Sequence, residues 1–91
     1  MRALSGLNGL EQRVLLLILN GDRIYTKARL SELSNFFQRA VTRSHLQHAT
    51  ARLSLCGLIV RPDTSWQPTE LARRLQLEQP VLPKPFSLLI H

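Results

Sequence analysis

"TRSHLQHATARLSLCGLIVR", residues 42–61, sorts its side chains by helical period. At 100° per residue, Leu46, Ala49, Thr50, Leu53 and Cys56 fall on one side, and Ser44, His45, Gln47, His48, Ala51 and Arg52 fall on the other. The first set is small and mostly apolar, a face to be buried. The second is a row of hydrogen-bonding groups that stays open to water or to a polar partner. Thr42 and Ser44 each offer the hydroxyl an N-cap uses, so the helix starts at one or the other. Gly57 ends it. "LIVR" then reads as a strand, Pro62-Asp63-Thr64-Ser65 as a turn and "SWQP" as the returning strand, a hairpin of about four residues a side.

Upstream, "NGLEQRVLLLILNG" reads as a first helix. Asn8 caps it with Glu11 three residues on, and Asn20-Gly21 supplies a left-handed stop. Leu10, Val14, Leu17 and Gly21 share a stripe, while Leu15, Leu16 and Leu19 lie on other faces, so this helix needs cover on more than one side. "DRIYT" favours an extended strand through Ile24 and Tyr25, and Thr26 caps a second helix, "KARLSELSNFF", with Leu30, Leu33 and Phe37 on its buried side. Downstream, Thr69 caps a last helix, "ELARRLQL", in which Leu71, Leu75 and Ala72 are expected to face inward. Residues 1–79 make the domain, and 80–91 form a Pro-rich apolar tail whose three prolines forbid a regular helix. The fold class is mainly α with a small β-hairpin, α+β.

Composition narrows the partner. Twelve Lys plus Arg stand against six Asp plus Glu, a net charge of +6, which points to a polyanion. All but Lys27 and Lys84 of those bases are arginine, whose planar fork suits phosphate and guanine edges. An inert basic surface is the plain alternative. One cysteine forms no internal disulfide and no signal-peptide pattern opens the chain, so a cytoplasmic location is expected. The longest apolar run, Val14 to Leu19, is far below the ~20 residues of a membrane-spanning helix, and no membrane partner is expected.

The order helix, short strand, helix, helix, hairpin, with a Gly-Leu-Ile step after the third helix, resembles the winged helix-turn-helix of bacterial regulators. "LSEL" at 30–33 and "SHLQHATARLSLCGLIVR" at 44–61 resemble the second helix, recognition helix and first wing strand of MarR-type regulators, over roughly residues 9–77. In size the chain is closer to small winged-helix regulators of fimbrial, phage or plasmid operons. The resemblance implies a three-helix core plus wing, an added C-terminal helix, and a third helix that enters the major groove of double-stranded DNA. Ser44, His45, Gln47 and His48 would then touch bases, with Arg52 one turn on. Gln47 suits adenine, Ala51 a thymine methyl, and either Arg43 or Arg52 guanine or phosphate. The wing would lean on the backbone through Arg61 and Thr64 or Ser65. Thr42 and Arg39 complete the surface, with Arg39, Arg43, Arg52 and Arg61 expected to cluster around the reading helix.

Other constellations are weaker. His45 and His48 have a chelating spacing, but no acidic partner adjoins them in sequence, so no metal and no cofactor are expected. Cys56 reads as a small core residue beside the terminating glycine. The acids are scattered and no glycine-rich phosphate loop occurs, so the chain is not expected to be an enzyme. Trp66 either packs beneath the hairpin or stands out as a contact, and Arg73 and Arg74 read as solvated. Spare apolar surface on the first helix and in the tail favours a homodimer through those two elements. A rival from another class is a winged helix used to dock a protein, its charge incidental.

Overall fold

The structure is a computed structural model and describes residues 6–78. The tail at 80–91, expected to serve dimerisation, lies outside the described residues. Within them the chain is mainly helical α+β: α1 (Gly9–Leu19), α2 (Lys27–Phe37), α3 (Arg43–Leu55), β1 (Ile59–Val60), β2 (Gln67–Pro68) and α4 (Glu70–Glu78).

Local chemistry sets the helix ends. Asn8 Oδ1 accepts the Glu11 N–H at 2.8 Å while Glu11 Oε1 accepts the Asn8 N–H at 3.0 Å, a reciprocal cap that satisfies two otherwise orphaned amides. Thr26 Oγ1 takes the Arg29 N–H, and Thr69 Oγ1 takes the Ala72 N–H, each hydroxyl standing just before its helix. At the other ends, three helices close in one way. Asp22 N–H reaches the Leu17 carbonyl around Gly21 (φ 82°), and Leu58 N–H reaches the Leu53 carbonyl around Gly57 (φ 75°). After α2 the left-handed position falls on Gln38 (φ 59°), where a Cβ makes the same turn costlier.

α1 packs against α3 and β2. Val14 and Leu15 of α1, Leu33 of α2, Leu46 and Leu53 of α3, and Leu58 just beyond it form the fully buried centre. Leu10, Leu17 and Ile18 are also buried, and Leu16 and Leu19 pack partly on the same cluster. The apolar surface of α1 that favoured a second copy is thus taken up largely inside the described chain. Ser34 ties the link before α3 in place: its hydroxyl donates to the Leu30 carbonyl at 2.8 Å and accepts the Val41 N–H at 2.9 Å.

Four expectations are corrected. "DRIYT" is not a strand. Arg29 Nε donates to the Arg23 carbonyl at 2.9 Å and its guanidinium pairs with Asp22 at 3.8 Å, which binds the segment to α2 rather than to a sheet. The hairpin has two paired residues a side, not four, in the register Ile59↔Pro68 and Val60↔Gln67. Pairing stops on the turn side at Val60↔Gln67, and on the other side the register carries on in one bond, from the Thr69 N–H to the Leu58 carbonyl at 3.0 Å. Cys56 is exposed, because the turn at Gly57 swings Leu58 into the core position beyond Leu53. Leu71 is 41% exposed, while Ala72 and Leu75 carry the inward face of α4. Among the described residues no helix is long and apolar enough to cross a membrane.

Candidate nucleic-acid interface

Burial along α3 follows the helical period. Leu46, Ala49, Thr50 and Leu53 are buried, and Ser44, His45, Gln47, His48, Ala51 and Arg52 are exposed. The core anchors one side of the rod and leaves the other open. Thr42 is the N-cap: its Oγ1 accepts the His45 N–H at 3.3 Å, and His45 Nδ1 accepts the Thr42 N–H at 3.1 Å. A histidine here fills the place glutamate or glutamine has in the usual capping box. With Nδ1 accepting, neutral His45 carries its proton on Nε2. Ser44, beside the cap, is exposed and not the capping residue.

The exposed face has two edges with different surroundings. Along one, Arg43, Gln47 and Ala51 line a groove that continues over Arg61, Thr64 and Ser65 of the hairpin. Six of the residues expected from the sequence therefore meet on one surface. The groove also takes in Arg23, Tyr25, Trp66 and Arg73, and among the described residues its lining carboxylate is Asp22, which is already paired with Arg29. Along the other edge, Arg39, His45, His48 and Arg52 gather beside Asn8 and Glu11 of the α1 cap. Among the described residues no three His, Cys, Asp or Glu side chains come together in a metal-binding group.

Two arginines of the groove are held by aromatic faces. The Arg43 guanidinium stands 4.9 Å from the Tyr25 ring centroid, and that of Arg61 stands 4.6 Å from the Trp66 ring. Trp66 is half-buried against the core, the packing alternative of the two, and its ring faces the Arg61 guanidinium. Tyr25 is fixed from below, its hydroxyl 3.1 Å from that of buried Thr50. Stacking orients a guanidinium without using its N–H groups, which stay available to an acceptor. Among the described residues no carboxylate pairs with Arg43 or Arg61.

Arg52 differs. Its Nε lies 3.6 Å from Glu11 Oε2, and the carboxylate is buried while the arginine side chain is 58% exposed. Arg13 lies away from this surface, 4.2 Å over the Phe36 ring, and desolvation pulls its guanidinium below the ordinary arginine value, offset in part by Glu32. Sequence reading missed Arg23, the support that Tyr25 gives Arg43, and the Glu11–Arg52 contact. Arg73 is exposed, as expected, and also borders the groove. Segment pairing carries these relationships, and no local pattern signals it. Comparison with known proteins finds no matching family profile, curated protein or solved structure.

Proposed function

We propose that the chain is a winged helix-turn-helix protein that binds double-stranded DNA sequence-specifically and regulates transcription. α3 enters the major groove and the β1–β2 hairpin serves as the wing on the neighbouring backbone. The observation that carries this reading is the shared groove: the polar edge of α3 and the tip of the hairpin run into one surface lined by Arg23, Arg43, Arg61 and Arg73. A duplex presents such an arrangement with both of its features, a groove floor of donors and acceptors and a rail of phosphates. Arg43 and Arg61, each over an aromatic ring and paired with no carboxylate among the described residues, suit the phosphates. Gln47, exposed on the same edge, suits adenine N6 and N7.

Selection of bound duplexes from a random pool tests the reading. It expects a short enriched motif, lost when Gln47 and Arg43 are both replaced by alanine. Recovery of unenriched sequence, or of none, contradicts it. A second reading, a protein-docking module, draws on exposed apolar side chains: Leu55 at 86% and Val60 at 48%. It expects a protein complex that resists salt and depends on Leu55, with no duplex bound.

A further inference from the structure

Glu11 and Thr50 are the buried polar side chains of the described core, and Glu11 is the charged one. A carboxylate out of water is costly unless its oxygens are engaged. Oε1 is engaged by the Asn8 N–H at 3.0 Å as part of the α1 cap. Oε2 is turned toward the neighbouring helix, where Arg52 Nε stands 3.6 Å away. The cap uses one oxygen only, so the contact between α1 and α3 is a second feature of this residue.

That contact leaves Arg52 half in use. With Nε on the Glu11 side, Nη1 and Nη2 form the outer end of a guanidinium whose side chain is 58% exposed. These two nitrogens are the fork that meets guanine O6 and N7. Glu11 acts on the choice of ligand in two ways. It restrains a long side chain before binding, which lowers the ordering cost of a directional contact. It also places a negative charge behind the guanidinium, which weakens attraction to a phosphate and leaves the interaction with neutral acceptors such as guanine favoured. Arg43 stands in the opposite situation, over the Tyr25 ring and, among the described residues, with no carboxylate in ion-pair reach, and fits a phosphate.

Resting on the duplex-binding reading, we infer that Arg52 reads a guanine and that Glu11 is its positioning residue. The assignment separates two arginines that the sequence left interchangeable.

The test measures binding to the selected duplex and to versions with each base pair exchanged, for the full chain and three variants. Glu11→Gln keeps an oxygen for the Asn8 N–H and removes the charge. Arg52→Lys keeps the charge and removes the fork. Arg52→Ala removes both. The wild type should prefer G·C at one position by about tenfold or more. Glu11→Gln should erode that preference severalfold at that position alone, with affinity for unrelated duplex unchanged or raised. Arg52→Lys and Arg52→Ala should abolish it. As Arg52 is largely exposed, its lysine variant keeps the test intact even where Glu11→Gln fails to fold. An unchanged preference in Glu11→Gln, or an equal loss on all sequences in Arg52→Ala, overturns the assignment while duplex binding stands. Absence of any duplex binding by the wild type overturns both together.

Discussion

The hydroxyl of Tyr25 lies 3.1 Å from the hydroxyl of Thr50, joining the segment before α2 to the buried side of α3. The same ring carries the Arg43 guanidinium on its face. One residue thus serves packing through its oxygen and the groove through its ring. Tyr25→Phe keeps the ring and should lower stability by about 1 kcal/mol with duplex affinity unchanged. Tyr25→Ala should lower both. Chemical denaturation alongside a binding isotherm separates the two effects.

Arg43→Ala and Arg61→Ala should weaken binding to every duplex by similar factors. Each lost phosphate contact should flatten the dependence of log K on log salt by about 0.9. Gln47→Ala should behave differently, costing about 1 to 3 kcal/mol at the selected site and little elsewhere. Isotherms at three salt concentrations on specific and unrelated duplexes check both patterns.

The left-handed positions after α2 and α3 make a matched pair. Gln38 occupies φ 59° with a Cβ and Gly57 occupies φ 75° without one. Gln38→Gly should raise stability by about 0.5–1 kcal/mol, and Gly57→Ala should lower it by about 1–2 kcal/mol. A Cβ on Gly57 meets Leu71 Cδ2 at 3.9 Å, an ordinary contact, so the loss comes from backbone strain and not from crowding. Unfolding midpoints in denaturant report both signs.

Cys56 is exposed at the C-cap of α3. An alkylating reagent should modify it in the folded protein at a rate close to that of the unfolded chain, without loss of helical signal. Protection until unfolding would return the thiol to the core. Mass spectrometry of native and denatured samples distinguishes the cases.

What was legible in the sequence follows the range of the interaction. Asn8 with Glu11, Thr26 and Gly57 mark helix ends through bonds to residues three to five positions away and sit where the pattern put them, while of the two hydroxyls offered for α3 the structure uses Thr42. The buried and open faces of α3 likewise follow from a period of 3.6. Periodicity does not say which residues beyond a helix the core accepts, so Cys56 was placed inside where Leu58 lies. Alternation does not say where a ladder stops, and the pairing ends at Val60↔Gln67, short of Arg61 and of Ser65 and Trp66. The division of the α3 face into an arginine-lined groove and a Glu11-backed edge depends on the chain folding α1 and the hairpin to either side of it. No spacing within residues 42–61 carries that information.

A duplex held across α3 and the hairpin by charge as well as by base contact should release counterions from its phosphates on binding. Fluorescence anisotropy of a labelled duplex, titrated with the full chain from about 50 to 200 mM salt, measures that release. Log K should fall linearly with log salt, steeply enough for several phosphates at about 0.9 per contact, and the fall should be flatter in Arg43→Ala and Arg61→Ala. Affinity that does not change with salt, or the same slope in both variants as in the wild type, would contradict that binding mode.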